Sequence, residues 1–169
     1  LFRVVRRTPV RSPDPLRDHL ARSLAWGEAH ADIQAVLAGI GAAHRGVAPP
    51  GLPHSPWQLL EHLRLAQGDI LEFCVNPAYT DKAWPDEYWP TSAAPPTDSA
   101  WDESVASYLR DRDALQRLAR DPAVDLFARI PHGTGQTYLR EILLVIDHAA
   151  YHTGQMVLVC RLLGIWPAA

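Results

Sequence analysis

Residues 140–164, REILLVIDHAAYHTGQMVLVCRLLG, form the most apolar window of the chain, and their apolar positions follow a helical period. Such a helix is stable only when other elements cover it, so this segment demands packing partners of comparable length. Thr137 opens it, and Gly164 with Pro167 behind it closes it. Asp147, His148, His152 and Gln155 interrupt the apolar run, which reads as too polar for a membrane span.

Three further helices supply the partners. The stretch DPLRDHLARSLAWGEAHADIQAVLAGIGAAH starts with Asp14 as N-cap and Pro15 at the first helical position. Leu16, Leu20 and Leu24, then Ile33, Leu37 and Ile40, give it an amphipathic spacing, and GVAPPGLP at 46–53 ends it. The second start is the clearest: SPWQ, Ser55 to Gln58, is a capping box with Pro56 at the first helical position, and the helix runs to about Val75. A third helix opens near Asp98 and Ser99, with Trp101, Val105, Tyr108, Leu115 and Leu118 on one face. No strand period and no internal repeat occurs, so the expected fold is all-α, a four-helix bundle spanning residues 14–169 behind a flexible segment, 1–13.

Composition narrows the function classes. A chain of 169 residues with 47% hydrophobic and 21% charged content is an ordinary single globular domain. A net charge of −3 leaves no basic face for nucleic acid. The basic residues are 15 Arg and one Lys, Lys82, which reads as coding bias rather than a phosphate-binding device. Cys74 and Cys160 sit in apolar helical runs and make no disulfide framework, which points to a reducing cytoplasm. The opening LFRVVRRTPVRSPDP has neither the apolar block of a signal peptide nor a starting Met. The expectation is a soluble protein with no membrane partner.

Residues 76–98, NPAYTDKAWPDEYWPTSAAPPTD, make a long connection rich in proline and aromatics between the second and third helices. Loops of this length serve either as stiff covers whose aromatics plug the end of a bundle or as lids over a site.

The polar residues in the last helix form a stripe. At about 100° per residue, His148, His152 and Gln155 fall within an arc of about 60°. Two imidazoles one turn apart can reach one ion, as in the His pair of His-Glu-x-x-His zinc sites, although that motif is absent here. A pair needs at least a third ligand. His62 is the best source, on the apolar face of the second helix, flanked by Gln58, Leu65 and Ala66. His54 and His132 stand beside helix starts as loop or capping residues, while His19, His30 and His44 have charged neighbours and read as solvated. Glu61 faces about 100° away from His62 and reads as structural. Glu141, about 10 Å along the axis from His148, is too far to coordinate but can line a pocket. Spacing alone leaves these histidines divided between an ion site and hydrogen-bonded core positions.

SPWQLLEHLRLAQ followed much later by DHAAYHTGQMV, in a chain of this size, resembles the DinB/YfiT-like superfamily of metalloenzymes over roughly residues 14–166. The resemblance implies three metal-binding histidines, one from the second helix and two from the fourth. Here they are His62, His148 and His152. It implies one divalent ion, zinc, nickel or iron, at one end of the bundle, and a homodimer. WPDEYWP looks like loops seen in some members. Three neutral imidazoles leave such an ion positive, with positions open to water or a small thiol. Gln155, one turn from His152, is then placed either to hydrogen-bond the ion's bound ligand or to make a polar contact between helices. Asp147 and Tyr151 flank the pair and can hold a ligand imidazole's free N–H, although Asp147 reads rather as a surface or interhelical salt bridge.

Three functions follow from the resemblance. The leading one is a thiol S-transferase that joins a low-molecular-weight thiol to an electrophile, the metal activating the thiol. The second is a metal-dependent hydrolase using bound water. The third is a stress-associated dimer with a structural ion and no catalysis.

Overall fold

The computed structural model describes residues 14–166; the segment expected to be flexible, 1–13, and Pro167 lie outside the described residues. The described chain is all-α. It contains α1 (Pro15–Ser23), α2 (Ile33–Ala38), a 3-10 turn at Ala42–His44, α3 (Pro56–Val75), α4 (Ala100–Arg120) and α5 (Tyr138–Leu162). Among the described residues the only strand-like pairing is an isolated bridge between Arg129 and Thr137.

The helix starts follow their caps. Asp14 accepts from the amides of Leu16 and Arg17, and Thr137 accepts from Arg140. At α3 the capping box is complete: Ser55 takes the Gln58 amide and the Gln58 side chain takes the Ser55 amide. Gly164, at φ 72°, stops α5 in the left-handed conformation that glycine adopts without strain.

The expected first helix is a correction. It is two short helices, α1 and α2, separated by an exposed turn through Trp26 to His30. Gly27 weakens helix propagation, and Asp32 starts a new helix by capping the Gln34 amide. A Cβ on residue 27 would lie 3.1 Å from the Cβ of Asp32, so the turn folds tightly on itself there. The apolar spacing survives the break: Leu20, Leu24, Ile33, Leu37 and Ile40 are buried, and Leu16 is exposed.

The break lets one stretch of chain seal two cores. Leu20, Ala21 and Leu24 of α1 join Leu115, Ala119, Leu126, Ile142 and Val145. Ile33, Val36 and Leu37 of α2 join Trp57, Leu59, Leu60, Leu63, Trp101, Tyr108, Met156 and Val159. Arg17 fastens α1 by donating to the carbonyls of Ala119, Asp121 and Val124. Between α3 and α4, buried Glu61 accepts from Ser104 and from two nitrogens of Arg64, both at 2.8 Å. Burial alone would raise the Glu61 carboxyl, but those bonds hold it below its ordinary range. Its structural role agrees with its position on the helix.

By length and composition α5 does qualify as a helix able to cross a membrane. The sequence expectation underrated it, because Asp147 is the one charged residue between Ile142 and Cys160. In the fold, Ile142, Val145, His152, Met156 and Val159 of this helix are buried against the rest of the chain.

Candidate metal centre

α3 and α5 pack side by side and bring three imidazoles together. His62 comes from the second turn of α3, and His148 and His152 from the middle of α5. His62 and His152 are buried and His148 is half-buried. One potential ligand nitrogen from each lies within 4.8 Å of the others. The ring centroids are 4.4 to 4.9 Å apart and the planes meet at 70° to 75°, so edges rather than faces point inward.

Hydrogen bonds decide which nitrogens face the centre. His62 Nδ1 donates to the Tyr88 carbonyl at 2.9 Å, which leaves Nε2 as the lone-pair nitrogen. His152 Nδ1 donates to Gln155 Oε1 at 2.7 Å, again freeing Nε2. His148 Nε2 lies 3.0 Å from His62 Nε2. Two nitrogens about 2.0–2.1 Å from a shared zinc stand roughly 2.9–3.4 Å apart for angles between square and tetrahedral, so this pair fits one small ion.

Burial keeps the cluster neutral, as a ligand set requires. It lowers the His148 and His152 imidazoles to about 4, with neighbouring imidazoles adding to the effect. His62 is also lowered by burial, against the Tyr88 carbonyl, which favours its charged form. The donor set therefore suits a divalent ion.

Gln155 has partners of its own. Its Oε1 is bonded to His152, and its Nε2 donates to the Tyr151 hydroxyl at 3.0 Å. The amide thus orients an imidazole of its own helix. Tyr151 reaches that imidazole through Gln155 rather than directly.

The long connection, residues 76–99, packs over the centre as a cover. Trp89 stacks on His62 with ring centroids 3.9 Å apart and planes at 3°. On its other face it stacks on His54 at 4.1 Å. Ser55 Oγ donates to the Ala93 carbonyl, and Gly46 lets the returning chain in, since a Cβ there would meet Ala94 at 2.5 Å. The connection is both a plug and a wall.

On the other side of His62 and His148 a cavity of ≈ 350 Å³ opens. Ala66, Ile70 and Leu144 line its apolar part, and Trp84, Tyr79 and Tyr88 come from the connection. Glu141 lines it as expected, buried and paired with Arg140 at 2.7 Å.

Of the histidines expected to be solvated, His19 and His30 are exposed and His44 is half-buried, while His132 Nε2 bonds the Phe73 carbonyl at 2.8 Å. His54 stands against Trp89, one indole away from His62. Sequence reasoning missed Asp69 and Tyr88. Asp69 left a signal: a carboxylate seven residues after His62 lies on the same face of the helix.

No curated protein and no solved structure matches the chain. The family model of the DinB superfamily does, over residues 25–156, a span that holds α2 to most of α5, all three clustered histidines and Gln155, and the chain belongs to that superfamily.

Proposed function

We propose that the protein is a metal-dependent thiol S-transferase, with His62, His148 and His152 holding one divalent ion. The observation that carries this reading is the convergence of three neutral imidazoles, two of which, His62 and His148, line a cavity large enough for a small molecule. A divalent ion held there would keep a coordinated thiol deprotonated.

The chain's own residues do the rest. Tyr88 and Gln155 fix two imidazoles with their Nε2 atoms inward, so the ligand set is formed before an ion arrives. Ile70, Leu144 and the aromatic residues give the cavity an apolar wall suited to the carbon skeleton of a small electrophile. The thiol S–H proton leaves to solvent, and a new bond joins sulfur to the electrophile. The displaced group departs with the electron pair of the bond that breaks. No oxidant is required.

The protein's own thiols do not suit the nucleophile's part. Burial and the Glu141 charge push Cys74 up to about 12, and burial also raises Cys160. An added thiol is therefore required. With zinc, nickel(II) or iron(II) loaded, turnover of an electrophile panel should need glutathione, bacillithiol or mycothiol, and should vanish in metal-free protein. Ester or amide hydrolysis at equal rates with and without thiol would replace this reading by the hydrolase.

The free, buried cysteines fit a reducing cytoplasm. We also propose a homodimer formed through α5, whose exposed Leu143, Tyr151, Leu158 and Leu162 fall within an arc of about 100°. Sedimentation velocity at micromolar concentration should give twice the 18.8 kDa chain mass. A single monomeric boundary removes the dimer without touching the site.

A further inference from the structure

Asp69 is a buried carboxylate on α3 that the proposed reaction does not use. It lies seven residues after His62, on the same face of the helix. Three side chains of the connection converge on it. Tyr88 donates its hydroxyl to Oδ2 at 2.6 Å, Tyr79 approaches both oxygens at 3.2 Å, and Lys82 Nζ stands 3.4 Å from Oδ1.

Tyr88 is the residue that matters, because it is held at both ends. Its side chain is tied to Asp69, while its main-chain carbonyl takes the His62 Nδ1 proton at 2.9 Å. The next residue, Trp89, lies flat on the same imidazole. Two adjacent residues thus set the tautomer and the plane of His62, and the carboxylate a short way along the helix sets those two residues. Hydrogen bonds to a carboxylate are short and strong, and Asp69 itself is buried, so this one is suited to hold backbone in place. Asp69 is not in the group of residues near enough to share an ion, which leaves it an indirect route.

We propose that Asp69 is a positioning residue: through the Tyr88 hydroxyl it places the Tyr88 carbonyl, and so holds His62 as the Nδ1–H tautomer with Nε2 turned to the centre. The proposal rests on the metal reading for its consequence, and on hydrogen bonds present without a metal for its cause. Loss of an outer-shell partner costs roughly 10–100-fold in metal affinity, and Asp69→Asn should fall in that range.

The test uses the whole chain, first without metal. Long-range ¹H–¹⁵N spectra should show His62 as one tautomer, protonated at Nδ1. Asp69→Asn and Tyr88→Phe should each give a mixture, and each should raise the zinc dissociation constant about tenfold to a hundredfold. Because both act on one path, the double variant should bind zinc no more weakly than the weaker single variant. A merely structural Asp69 would give effects that multiply, and that result overturns the proposal. So does an unchanged His62 tautomer in both single variants. If Asp69→Asn fails to fold, Tyr88→Phe keeps the carboxylate paired with Tyr79 and Lys82, and its tautomer and zinc affinity decide alone. Failure of the wild-type protein to bind zinc sinks the metal reading, while the tautomer in metal-free protein still decides the role of Asp69.

Discussion

His62→Ala, His148→Ala and His152→Ala should each reduce bound divalent metal from one ion per chain to none, with helical circular dichroism retained. The three nitrogens lie within 4.8 Å of one another, so each supplies a third of the ligand set. Losing a ligand should exceed the roughly 10–100-fold cost of losing an outer-shell partner. Helix content should survive because the helices are held by two apolar clusters that contain none of the three. The measurement is elemental analysis of protein purified without an affinity tag, beside calorimetric titration. Full occupancy in His62→Ala would show the wrong histidine has been assigned on α3. His54, one indole away, would become the rival.

Acid should unfold the metal-free protein well before its carboxylates titrate. In the folded chain His148 and His152 are held down to about 4, first by burial and then by neighbouring imidazoles. In the unfolded chain they take up protons near pH 6.5. The folded state therefore binds fewer protons across this interval. Its stability is fully present above pH 6.5 and is lost as pH falls towards 4. His148 is half-buried, so solvent screens part of its share, and the two together should cost on the order of a few kcal/mol. Urea titrations from pH 7.5 to 4.5 should show the midpoint falling steeply, and the His148→Gln, His152→Gln protein should show a flatter profile. A wild-type midpoint that stays level from pH 7 to pH 5 would contradict the neutral, buried cluster. Saturating zinc should move the loss to lower pH, because only neutral imidazoles bind it.

Much of this was legible in the residues. Helix starts at Ser55 and Thr137 announce themselves through local chemistry, a side-chain oxygen three residues before an amide that needs an acceptor, and the structure places both. The histidine stripe on α5 needs only the helical repeat, and His62 stood out as a polar group on an apolar face. What failed was non-local or competitive. The expected first helix carried a continuous apolar period, but period records which face is buried and not whether the helix is continuous. Gly27 and the second cap at Asp32 decided that. Gln155 was correctly placed one turn from His152, yet its partner depended on rotamer and not on spacing. Trp89 and Tyr88 belong to a connection with no period, so nothing in their order shows that one would lie on His62 and the other bond it. Those contacts exist because Asp69, Ser55 and Gly46 fold the connection back, and such long-range pairings leave no local trace.

The sandwich of Trp89 between His54 and His62 also bears on what the cavity can admit. An indole recognises a flat guest by offering a face, and both faces of this one are taken. A guest with an aromatic ring must look elsewhere along the wall. Trp84 lines the cavity with 69% of its surface exposed and meets His62 only at an edge, with ring centroids 6.2 Å apart. Among the rings that line the cavity with Tyr79 and Tyr88, the indole with a face to offer a flat guest is therefore Trp84, five residues from the one that looks more central.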